Sequence, residues 1–200
     1  MNKRTPVCLV LKSAVLLVTL LCVFPLFATN PQKKEMKELN VKKVSLANVA
    51  VENIPALLDK EKVAFQSINT VNWKTFPYQP EVQFRIAHTD DAILVHYKVK
   101  EASVRAVAAG DNGAVWEDAC VEFFSIPAGD GIYYNVECNC AGILLIGAGA
   151  GRENREHAPQ EVMDKVQRWS SLGRQSFEER VGECNWELAL VIPYSAFFKH

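Results

Sequence analysis

Two segments of this chain place carboxylates where apolar side chains are expected. In Cys120-Val-Glu-Phe-Phe-Ser125 the acid is Glu122. In Tyr133-Tyr-Asn-Val-Glu-Cys-Asn139 it is Glu137, with the amide Asn139 two residues on. A carboxylate in mid-strand must meet water, a counter-charge or a ligand, because burying it alone is strongly disfavoured. Trp116 precedes Glu122 by six positions, an even spacing that sets both on one face of an unbulged strand. An indole beside fixed hydrogen-bonding groups suits a sugar ring, whose C–H face stacks on the aromatic plane while its hydroxyls are held at the edge.

Each of these residues also has a plainer reading. Glu122 could simply pair with a strand arginine, Arg85 or Arg105; the same two arginines are weaker candidates for the sugar site. Glu122 and Glu137 could be the carboxylate pair of a small glycosidase or an enzyme accessory domain. A ligand-free structural envelope domain is a further alternative. Gly147-Ala-Gly-Ala-Gly151 lacks the Lys-Ser/Thr of a phosphate-binding loop and reads as a flexible inter-strand loop. His88, His96, His157 and His200 show no metal-ligand spacing, and a haem or redox sandwich would need a Met and His pair in the core. No cofactor is expected. Trp186 alternates with Leu188 and Leu190 and reads as core, whereas Trp169 is ambiguous.

The elements that must position these groups are mostly strands. Val63–Ile68, Val82–Ala87, Ala92–Glu101, the hairpin around Glu122 and Glu137, Gly142–Ile146, Val166–Ser171 and Cys184–Ile192 are rich in β-branched and aromatic residues. Pro127-Ala-Gly-Asp-Gly131 reverses the hairpin. An aromatic-rich loop (Trp73, Phe76, Pro77, Tyr78, Pro80) follows the first strand, and residues 53–60 form a helical turn with Asn53 as N-cap and Pro55 in its first turn. The pattern is that of an all-β protein, an antiparallel β-sandwich.

The chain has 200 residues and a formal net charge of −1, a balance that argues against a nucleic-acid partner. Met1-Asn-Lys-Arg4 followed by the apolar run Ser13–Ala28 reads as a secretory signal, too short and too interrupted by Pro25 to span a membrane. The expected organisation is a signal peptide at 1–28, a charged spacer at 29–48 and one domain at 49–200, located in the periplasm or outside the cell. No membrane span remains after cleavage. Cys120, Cys138, Cys140 and Cys184 stay in the domain, with their pairing open.

The succession Phe84-Arg-Ile-Ala-His-Thr-Asp-Asp-Ala-Ile-Leu-Val-His-Tyr-Lys-Val99, then Trp116-Glu-Asp-Ala-Cys-Val-Glu-Phe-Phe124, then Trp186-Glu-Leu-Ala-Leu-Val-Ile-Pro193 resembles the family nine carbohydrate-binding modules, whose wider fold is DOMON-like. The resemblance implies a non-catalytic sandwich that captures a mono- or oligosaccharide between two tryptophans. Trp116 matches the first clamp tryptophan, Glu122 the carboxylate that accepts sugar hydroxyls, and Glu137 and Asn139 a polar pair on the next strand. The family also allows structural calcium, whose ligands do not map onto this chain. The family pattern continues beyond the Trp186–Pro193 strand to the second clamp tryptophan, so the sandwich is expected to be incomplete at its C-terminal edge and the clamp one-walled.

Overall fold

A computed structural model describes residues 38–46 and 49–200; the expected export signal lies outside the described residues. Period-two alternation dictates the architecture. Among the described residues ten strands form two sheets: β1 (Lys42–Lys43), β2 (Gln66–Ile68), β3 (Glu81–His88), β4 (Ala92–Ala106), β5 (Cys120–Ser125), β6 (Tyr133–Asn139), β7 (Leu144–Gly149), β8 (Glu156–His157), β9 (Gln167–Ser170) and β10 (Phe177–Pro193). The first sheet runs β1-β3-β4-β10-β9, with β2 also pairing β3, and the second runs β5-β6-β7-β8. All pairings are antiparallel except β1 with β3.

The inner faces meet in one core. Val95, Tyr97, Val99, Trp186, Leu188 and Leu190 of the first sheet pack on Val121, Tyr134, Val136, Cys138, Leu144 and Ile146 of the second. Trp186 is buried there, as its alternation implies, and its indole N–H donates to Glu101 Oε1 at 2.5 Å. β10 is paired on both sides, by β4 and β9, rather than forming an open edge. Beyond it the rings of Phe197 and Phe198 meet Tyr134 edge-on.

The outer face of the first sheet is capped by helix α1 (Ile54–Lys60), whose Ile54 and Leu58 cover Leu94, Ala189 and Val191. Trp169 packs against this same cluster. Asn53 precedes α1 but makes no side-chain cap bond. Within the stretch expected to be spacer, Lys42 and Lys43 add to β3 and Val44 is buried, so ordered packing begins ahead of residue 49.

The glycine-rich run is loop only at its end, where Ala150 and Gly151 form a bend. Gly147 and Gly149 lie inside β7, and residues 152–164 contain β8 and a short helix α2 (Gln160–Met163). A Cβ on Gly147 would sit 3.5 Å from the Arg155 side chain, and one on Gly149 would sit 3.3 Å from the Arg155 backbone. The missing side chains leave room for the chain to double back over the outside of the sheet.

Candidate functional site

Alternation along β6 sends Tyr134, Val136 and Cys138 into the core and Tyr133, Asn135, Glu137 and Asn139 to the outer face of the second sheet. On β5 the same rule sends Cys120, Glu122 and Phe124 outward. The hairpin register sets Glu122 directly opposite Glu137, Phe124 opposite Asn135 and Cys120 opposite Asn139. The two acids therefore stand side by side, at the roughly 5 Å Cβ separation of a cross-strand pair.

The two acids differ in environment. Glu122 reaches solvent, whereas Glu137 is only 5 % exposed and Asn135 is buried beside it. The Asn135 amide donates to Glu137 Oε1. Glu137 Oε2 and Asn135 Oδ1 are buried without a hydrogen-bond partner among the described residues. Such orphaned acceptors are disfavoured by about 1–3 kcal/mol each, and they mark this floor as a place where a donor is wanted. Burial raises the Glu122 pKa above its ordinary value, the facing Glu137 charge raises it further, and Arg155 and Arg152 act against both. Arg155 lies along Gly147, the β7 partner of Asn135, with its guanidinium 5.9 Å from the Tyr133 ring centroid.

Trp116 sits in a 3-10 turn, Val115–Glu117, that lies on this same face. Its neighbour Val115 is buried against Leu145 and Cys120, both of which project from the outer side of the sheet. Trp116 is 56 % exposed. The structure thus sets the turn that carries Trp116 on the sheet face that bears Glu122 and Glu137, and adds Asn135, which the sequence reading passed over. The signal was available, since Asn135 lies two residues before Glu137 on the same strand face.

Asn139 has a different task. It is fully buried, its amide donates to Asp118 Oδ2 at 2.9 Å, and its carbonyl accepts from the Ala141 and Ile143 amides at 3.1 and 2.8 Å. These bonds shape the β6–β7 turn and leave it nothing to offer a ligand. Burial acts to raise the Asp118 pKa, but the Val107 amide, Asn139 and the Ala108 amide outweigh it and hold the carboxyl below its ordinary value.

Neither arginine joins the site. Arg85 lies on the outer side of the first sheet, buried under Phe65. It donates to His96 Nδ1 at 3.0 Å, Asp59 Oδ1 at 2.5 Å and the Pro55 carbonyl at 2.8 Å. Its chain position, on β3, could never reach β6. Arg105 donates to the Glu117 carbonyl and lies 3.6 Å from Asp118, so it braces the turn that carries Trp116. Glu122 is paired with neither.

Cys120 and Cys138 project from opposite faces of the sheet and cannot bridge, and all four cysteines of the domain are free. Among the described residues no group of three or more His, Cys, Asp or Glu side chains could hold a metal ion, so the calcium that the resemblance allows finds no such donor set there.

Residues 52–200 match the pattern of carbohydrate-binding family 9. The chain belongs to that family. A solved relative points the same way: a provisionally assigned carbohydrate-binding protein from Bacteroides uniformis ATCC 8492, 64% identical, superimposes with a TM-score of 0.80 over 82% of this chain and 76% of that one. No curated protein matches the chain. Membership in family 9 accounts for the sandwich and directs attention to carbohydrate as the ligand class.

Proposed function

We propose that the outer face of the second sheet holds a saccharide, with one ring stacked on Trp116 and its hydroxyls bonded by Glu122, Glu137 and Asn135. The observation that carries this reading is the juxtaposition of two unpaired buried acceptors, Glu137 Oε2 and Asn135 Oδ1, with a solvent-facing indole and carboxylate. A sugar hydroxyl that displaces the cover over Glu137 and Asn135 would supply the donor that the floor lacks, Glu122 accepts hydroxyls at the surface, and the indole supplies the apolar contact. Arg155 lines the same floor and faces ring or hydroxyl oxygens.

Membership in a carbohydrate-binding family supports capture rather than hydrolysis. The role is capture, in a chain exported to the periplasm or beyond the cell.

Titrating mono- and oligosaccharides to about 50 mM while following tryptophan fluorescence tests the reading. A saturable change is expected for at least one sugar, weakened in Glu122→Gln. A flat response across the panel overturns it. So does sugar release from a reporter glycoside that Glu122→Gln abolishes.

A further inference from the structure

The loop between β2 and β3 carries large aromatics that the site above leaves unused. Trp73 is 70 % exposed, Phe76 is 73 % exposed, and Tyr78 is exposed beside them. Rings of this size each leave on the order of 100 Å² of apolar surface in water when they are not folded away.

They are held in place. The Phe76 amide donates to the Trp73 carbonyl at 3.0 Å, closing a turn, and the Ala102 amide of β4 donates to the Tyr78 hydroxyl at 2.7 Å. Pro77 and Pro80 restrict the backbone on either side of Tyr78.

Trp73, Phe76 and Tyr78 line a cleft of about 180 Å³. A second cleft, of about 270 Å³, runs along the unpaired edge of β5 and includes Glu122, Cys120 and Glu101. The two clefts share Ile68, Pro80 and Val82 as a common wall. A path therefore leads from Glu122 across the open edge of β5 to the aromatic loop.

We propose that this loop is a second stacking platform, and that the ligand is an oligosaccharide whose chain runs from the Trp116–Glu122 face to Trp73 and Phe76. The inference rests on the saccharide reading and specifies the length of its ligand. Two observations favour a sugar chain over a protein partner. The exposed rings offer far less than the roughly 800 Å² per side that a stable protein interface buries. Thr70, Asn72 and Gln79 line the same cleft and interleave hydrogen-bonding groups with the rings.

The test uses the full chain and calorimetric titration with β-1,4-gluco-, α-1,4-gluco- and xylo-oligosaccharides of one to six units. In at least one series affinity should rise tenfold or more with length. Trp73→Ala combined with Phe76→Ala should cancel that rise, leaving the monosaccharide affinity within twofold and the unfolding midpoint unchanged, since both rings are exposed. Affinity independent of length overturns the proposal, as does a rise that survives the double substitution. Self-association of the wild-type chain that the double substitution dissolves would assign the loop to a second copy and also overturn it. Trp116→Ala should instead weaken binding at every length. If it leaves every affinity unchanged, or if wild type binds no member of the panel, the underlying site reading fails and this extension fails with it.

Discussion

Replacing Trp116 with alanine should weaken saccharide binding roughly 30-fold. A tryptophan side chain offers about 200 Å². With 56 % of Trp116 open to solvent, a ring seated on one indole face would cover about 80 Å². At 25 cal/mol per Å² that contact contributes about 2 kcal/mol, hence the factor of about 30 in Kd. Trp116→Phe keeps a smaller plane and should lose roughly half as much free energy. Fold stability should stay within about 0.5 kcal/mol of wild type, because the turn is held by buried Val115, by Arg105 on the Glu117 carbonyl and by Asp118, not by the indole. Calorimetric titration with the best-binding saccharide, alongside urea unfolding at neutral pH, separates the two quantities. A Kd change of less than threefold with unchanged stability would refute the stacking argument.

Three other outcomes follow from the same geometry. Saccharide affinity should fall on acidification through a midpoint above the ordinary glutamate value of 4.5, because Glu122 has a raised pKa and accepts hydroxyls best when ionised; Glu122→Gln should flatten that profile in titrations run from pH 7 to 4. His96 is buried with its pKa lowered to about 4, chiefly by burial. The unfolded chain therefore binds the proton more readily, so stability is complete above about pH 6.5 and declines by on the order of 2 kcal/mol as pH falls toward 4; urea midpoints should show this slope, and a His96→Gln variant that keeps it would exclude His96 as its source. Asn139→Ala should cost about 3 kcal/mol of stability by stranding the Ala141 and Ile143 amides and removing the Asp118 contact; a loss under 1 kcal/mol in urea unfolding would contradict its structural assignment.

The sandwich was legible because alternation is a local property: Val82, Phe84 and Ile86, or Trp186, Leu188 and Leu190, declare their face without reference to any partner. The even spacing that set Trp116 with Glu122 would have joined Asn135 to Glu137 had it been applied to the next strand. Asn139 shares that parity and was misread for a reason no strand pattern carries. Its role is set by Asp118 and by two turn amides, so only the closed β6–β7 turn reveals that its hydrogen bonds are spent. Arg85 was misplaced because a sequence does not say which sheet a strand will join. The glycines of β7 read as loop because what they accommodate, the returning Arg155, is distant in chemistry though close in number.

The facing acids of the hairpin have an evolutionary corollary. Two like charges in register, with lone pairs left unanswered beneath them, strain the unliganded protein. Exchanging Glu137 for glutamine would supply an N–H to the Asn135 carbonyl and remove the repulsion, so it should harden the empty fold while blunting its grip on sugar. A library screened for heat resistance alone would accumulate such exchanges, and its winners would be durable shells that had forgotten their ligand.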